Sequence, residues 1–362
     1  MTGKTIRKVL GQLGLTQVRH VKPVRIGAGP PSVSRIYEQV EREFGVLAPP
    51  MALHSPAPEV LAANWVMLRE TLIVSGRVGR AVKEAVSTTV SAGNACPFCV
   101  TVHSSTLSGL ADARGRTGDT ARAVIDPRVR AAVTWAEDSR TEEGALRHKP
   151  PWPAGEAAEV IGTAVDLHYL NRMVNIFLGE VPLPPGVPRP ALGFVMRILG
   201  GMIQTAARQP HPPGASLDLL PPAQPPGDLA WAAGDPVVTD AFARACAVID
   251  AAAARSVPPA VRDTVLTELA GWRGETRGPS RAWVEAAVYG LPKAHRAAGR
   301  LALLTAIASY QVDRSVIQEF RLGQPADSAL IELTSWASLA AARRVGAWIP
   351  VPGHTAPATA RK

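Results

Sequence analysis

Nowhere along this chain do apolar and polar residues alternate convincingly between turn signals, whereas apolar residues recur at spacings of three and four in segment after segment. A strand buries every second side chain and a helix every third or fourth, so the pattern selects an all-α fold. It predicts helices over 33–44, 58–75, 78–91, 97–113, 127–137, 155–178, 192–207, 236–255, 259–271, 280–289, 294–310 and 327–348. Pro58, Pro97, Pro127 and Pro236 stand at the starts of four of these. There the missing N–H costs nothing and the fixed φ suits the first turn.

Proline also divides the chain. VPLPPGVPRP and QPHPPGASLDLLPPAQPPGD cannot continue a helix and read as extended connectors, the second being the better boundary, near Pro210. The expected organisation is a basic N-terminal arm over 1–30, a helical domain over 31–209 and a second helical domain over 210–362. Laying Phe98, Cys99 and Val100 on Tyr310, Gln311 and Val312 brings the two domains into register as tandem halves. Cys96 then falls opposite Ala308, His103 opposite Ser315 and Glu84 opposite Arg296, so the second copy is degenerate.

A chain of 362 residues buries a core without disulfide staples, and three cysteines are too few for a secreted framework. The opening MTGKTIRKVLGQLGLTQ is basic and amphipathic but lacks the apolar core and cleavage site of a signal peptide, which makes cytoplasm the expected location. ALGFVMRILGGMI is about half the length of a spanning helix and carries Arg197, so no membrane span is expected. The formal charge of +9 is scattered, without a basic stripe, aromatic interleaving or known motif, and nucleic acid is not expected as a partner.

Chemistry concentrates in KEAVSTTVSAGNACPFCVTVHSSTL. Gly93 stops one helix, Asn94 is a candidate N-cap, and Pro97 opens the next, so Cys96 and Cys99 lie at a helix start. Cys99 and His103 are four apart and Cys96 and His103 seven apart, which puts all three on one face. The positive end of the helix favours a thiolate there, and an imidazole beside it can relay the proton. Glu84, twelve residues before Cys96, returns to the same pocket if the two helices run antiparallel. Val100 rather than histidine follows Cys99, which disfavours haem attachment.

Glu84, Cys96, Pro97, Phe98, Cys99 and His103 in this helical context resemble the EX(11)CxxCxxxH signature of the alkyl hydroperoxidase D family, within the wider carboxymuconolactone decarboxylase superfamily. SPAPEVLAANWVMLRETLIVSGRVGRAVKE upstream and DLHYLNRMVNIFL downstream are similar to family segments, and the likeness covers residues 30–205 best. The resemblance implies an all-helical, homo-oligomeric, thiol-dependent peroxidase without cofactor or metal. It makes Cys99 the peroxidatic thiol, Cys96 the resolving thiol, and Glu84 with His103 the proton relay. The implied partners are a hydroperoxide and a dithiol, thioredoxin-like or lipoyl electron donor. Helix electrostatics alone favour Cys96 as the attacking thiol, while the four-residue spacing to His103 favours Cys99. The chain departs from some active members in having Pro97 and Phe98, and no histidine, between the cysteines.

Other readings of the same residues are a non-enzymatic redox switch, a decarboxylase or lyase on the same fold, and a zinc site. Zinc needs a fourth ligand, for which Cys246, His168 or His148 would have to come close in space. Taken alone, Glu84 reads as a surface acid, His168 as a hydrogen-bonded core histidine, and Cys246 as a small hydrophobe.

Overall fold

The computed structural model describes residues 3–112, 126–180 and 189–350, and contains only helices and connectors among them. Fourteen helices matter for the argument. The first eight are α1 (Gly3–Leu15), α2 (Pro31–Glu43), α3 (Pro58–Leu68), α4 (Arg80–Gly93), α5 (Pro97–Asp112), α6 (Pro127–Asp138), α7 (Ala154–Phe177) and α8 (Arg189–Ala207). After the proline-rich connector come α9 (Pro236–Ser256), α10 (Pro259–Gly271), α11 (Ala282–Val288), α12 (Arg296–Ala308), α13 (Arg314–Gly323) and α14 (Asp327–Trp348).

Expected and observed helices agree to within a few residues wherever both exist, and the proline starts hold for α3, α5, α6 and α9. Asp126, Asp235 and Asp313 cap α6, α9 and α13 by accepting first-turn N–H groups, each contact being worth about 1 kcal/mol. The pattern did not predict α1 or α13. The end of the expected 97–113 helix, residues 181–188 of the first proline stretch and His354 lie outside the described residues.

The long helices α7 and α14 pack on each other at the centre and are buried almost throughout, with α4 against α7, α9 against α14, and α3 against α9. One apolar core runs through all of them, from Leu15 to Ile349. Among the described residues no helix is long and apolar enough to cross a membrane.

Two buried ion-pair systems fix the elements around the site. At the end of α3 a wide π-turn, Arg69–Ile73, turns the consecutive residues Arg69 and Glu70 both inward. Arg69 pairs with Glu43 at 2.7 Å and with Glu70 at 2.6 Å. Glu70 in turn accepts from the N–H of Gly214 at 2.7 Å and the hydroxyl of Ser216 at 2.6 Å, which clamps the proline-rich connector to the bundle. Stripped of its carboxylates at this depth, Arg69 would cost about 3–5 kcal/mol, so the cluster is held as a unit.

The second system sets α4. Glu159 on α7 pairs with Lys83 at 2.9 Å and accepts from the N–H of Arg77 at 2.7 Å. Gly76 makes room for it, since a Cβ there would fall 2.3 Å from the Glu159 carboxylate. Burial pulls the Lys83 amine below its usual range, but Glu159 opposes that. One carboxylate thus ties the segment before α4 and the inner face of α4 to the central helix.

Candidate active site

The turn between α4 and α5 is tight. The N–H of Asn94 donates to Val90 O at 3.0 Å, that of Ala95 to Ala92 O at 3.1 Å, and that of Cys96 to Ser91 O at 2.9 Å. Ala95 adopts a left-handed conformation, φ 51°, which costs a side-chain-bearing residue about 1–2 kcal/mol. That strain is offset by three polar side chains on one face of α7. His168 Nδ1 and Asn171 Oδ1 accept from the Asn94 amide at 3.1 and 3.0 Å, and Asn175 donates to Asn94 O at 3.0 Å. Asn94 therefore closes α4 and ties it to α7, instead of capping α5 as its position suggested.

Reversal of the chain at this turn carries out the convergence that the spacing implied. Cys96 O accepts the N–H of Val100 at 3.0 Å, so Cys96 stands at the threshold of α5 with Cys99 one turn on. The two sulfurs are 2.8 Å apart, both free and both buried. Across the α4–α5 interface, His103 Nδ1 lies 2.7 Å from Glu84 Oε2. The other Glu84 oxygen accepts from Arg80 Nε at 2.7 Å. The four expected residues thus form two close pairs on neighbouring elements, and Arg80 joins the second through Glu84.

The electrostatics are those of a dry site that holds a carboxylate–imidazole couple. Burial pushes the Cys99 thiol well above its usual range and Cys96 adds to the rise, while a hydrogen bond from Asn171 pulls the other way. Burial also works against ionisation of Glu84, but Arg80 and His103 outweigh it and hold the carboxyl below its usual range. An ionised Glu84 accepts the Nδ1 proton of His103 and leaves Nε2 with its lone pair, ready to take a proton. Cys99 thus rests as a thiol.

An apolar cavity opens on this pocket. Cys99 and His103 line it together with Phe98, Leu170, Met51 and Leu72. Leu10 and Gly14 of α1 also line it, so the helix absent from the sequence pattern borders the site. Cys96 is not part of the cavity wall.

A curated relative, alkyl hydroperoxide reductase Rv2159c of Mycobacterium tuberculosis (strain ATCC 25618 / H37Rv), is 38% identical over 342 residues, which span 92% of this chain and 95% of that protein. This chain belongs to the alkyl hydroperoxidase D-like family. No family model matches it.

Within this family member, the remaining candidates sort by position. His168 is buried and hydrogen-bonded, as a core histidine would be, and burial keeps its pKa well below the usual range, helped by Arg172 and Arg140. Cys246 is buried in α9, where burial pushes its thiol up to about 12. Among the described residues no three His, Cys, Asp or Glu side chains are grouped to hold a metal ion.

Sequence reasoning missed Asn171. Its Oδ1 accepts from Asn94, so its Nδ2 faces Ser91 Oγ at 3.1 Å and the Cys99 sulfur. A hydrogen bond to a charged group is worth about 1.5–3 kcal/mol. Asn171→Leu is therefore expected to raise the pH at which the Cys99 thiolate forms and to slow its alkylation at neutral pH by about tenfold. Absorbance at 240 nm against pH, beside the alkylation rate, checks this; an unmoved titration curve would reduce Asn171 to packing.

Proposed function

We propose that this protein is a thiol-dependent peroxidase that reduces organic hydroperoxides through a Cys96/Cys99 disulfide cycle. The observation that carries the reading is the pair of free sulfurs 2.8 Å apart beside a His103–Glu84 couple at 2.7 Å, with Cys99 in the wall of an apolar cavity. The relative's name, an alkyl hydroperoxide reductase, supports the same activity.

In the proposed cycle His103 takes the Cys99 proton, and the thiolate attacks the terminal oxygen of ROOH. The O–O bond breaks, RO⁻ recovers the proton from His103 and leaves as alcohol, and Cys99 becomes a sulfenic acid. Cys96 then attacks the Cys99 sulfur and expels water as the disulfide forms, the sulfurs drawing about 0.8 Å closer. A dithiol, thioredoxin-like or lipoyl donor returns two electrons and two protons. Cys99 supports the peroxidatic role better than Cys96, because it alone of the two borders the cavity. The cavity's apolar walls favour an alkyl or aryl tail over hydrogen peroxide.

The same reading takes residues 210–362 as a degenerate second half. Arg296, at the position corresponding to Glu84, donates to the carbonyl of Tyr289 at 2.7 Å, and Ser315, corresponding to His103, bonds Asp313. Assembly as a homo-oligomer and a cytoplasmic location complete the proposal.

The test is a thiol count. One equivalent of cumene hydroperoxide added to reduced protein should consume two of the three thiols, with peptide mapping locating a Cys96–Cys99 disulfide and Cys246 still free. Three thiols surviving a tenfold excess, or a disulfide through Cys246, would rule the reading out.

A further inference from the structure

Behind the turn that leads into Cys96 runs a cleft, lined by Asn94, Arg140, His168, Arg172, Trp272 and Glu275 among others. Arg172 is 5% exposed, a cation taken almost wholly out of water. Its Nε donates to Ala306 O at 2.8 Å and its Nη1 to His168 O at 2.5 Å, while Nη2 has no acceptor among the described residues. The Trp272 ring lies beside it, with the guanidinium carbon 5.8 Å from the ring centre. No carboxylate among the described residues stands within ion-pair distance of Arg172 or of the exposed Arg140. Glu275, the acid in the cleft lining, is turned to the N–H of Arg273 at 2.8 Å and to Arg277 at 3.5 Å.

A buried guanidinium with two backbone carbonyls and no counter-charge is half of an ion pair. Its neighbours have the matching polarity. Asn94 donates to His168 Nδ1, which puts the ring proton on Nε2 and makes His168 a donor too. Arginine's planar fork suits a carboxylate or phosphate, and an adjacent aromatic face excludes water from such a contact. We propose that this cleft is an anion-binding site, holding the carboxylate or phosphate group of a small ligand between Arg172 and Arg140 against Trp272. It is separate from the apolar cavity at Cys99 and does not depend on the peroxidase reading.

Calorimetric titration of the reduced full-length protein with sodium phosphate, and separately with sodium succinate, at constant ionic strength tests the site. Saturable binding of one anion per chain, at millimolar or better affinity, is expected from at least one of the two. Response to phosphate alone assigns phosphate chemistry, and response to succinate assigns carboxylate chemistry. Arg172→Gln should remove the binding, and Arg140→Glu should weaken it by at least about tenfold. Should Arg172→Gln fail to fold, the exposed Arg140→Glu decides the matter alone, its melting temperature serving as the control. No saturable heat from either anion, or unchanged affinity in a folded Arg140→Glu protein, overturns the proposal.

Discussion

Cys99→Ser protein should consume no hydroperoxide, while Cys96→Ser should react once and stop. The asymmetry follows from position. Cys99 borders the apolar cavity and receives the Asn171 amide, whereas Cys96, 2.8 Å from it, does not line that cavity. Loss of the nucleophile from an otherwise intact site lowers turnover by on the order of 10³-fold or more, because the remaining thiol, Cys96, does not line the cavity. Loss of Cys96 leaves that first attack untouched and strands a sulfenic acid on Cys99, which a dimedone label would trap in stoichiometric amount. The measurement is therefore a pair: multiple-turnover peroxide consumption with a dithiol donor, and single-turnover labelling without one. Equal residual turnover in the two variants, or a trapped sulfenic acid on Cys96, would reverse the assignment.

Glu84, Cys96, Cys99 and His103 were legible in the sequence because their convergence depends on local arithmetic. Two helices joined by a short turn leave little freedom, and spacings of twelve, three and four within them set the face. Asn171 and Arg172 were not legible, since what they touch is decided by where α7 crosses the turn, some 75 residues away in sequence. Their signal exists in retrospect: His168, Asn171 and Asn175 recur at three and four, a polar stripe down a helix otherwise built for the core. Arg80 was legible in principle as the residue four before Glu84.

The same contrast runs through the fold. α13 carries Val316, Ile317 and Phe320 on one side, but its charged remainder and short length hid the period. The proline-rich connector carries no α-helix, as its prolines require, but Leu217–Leu219 forms a short 3-10 turn within the stretch read as extended. The connector's attachment was not legible, because that depends on Arg69 and Glu70 facing inward together at a π-turn, and no sequence period announces such a turn. Trp272 packs against Trp348 and also borders the cleft at Arg172, a second role that no sequence period announces.

Glu84→Gln should slow peroxide reduction at neutral pH by about 10²-fold, within the usual range for disabling a general base. Gln is nearly isosteric and still reaches His103 Nδ1, so packing is preserved while the charge is lost. Without that charge the imidazolium formed on taking the Cys99 proton is no longer stabilised, and His103 becomes a weaker acceptor. The alkaline rise in rate, which reports thiolate formation from an already elevated thiol, should move to still higher pH in the variant. The sign of the acid limb differs. Glu84 ionises below its ordinary value in the folded protein, so its pairing with Arg80 and His103 contributes stability fully present above about pH 4.5 and lost as pH falls through the lowered folded value. Gln cannot take up that proton, so melting temperature should fall less between pH 5 and pH 3 in the variant than in the parent, although the variant starts lower. A pH–rate profile beside a pH–melting series separates the two effects. An unshifted alkaline limb would remove Glu84 from the relay and leave it only as the tether of α5 to α4.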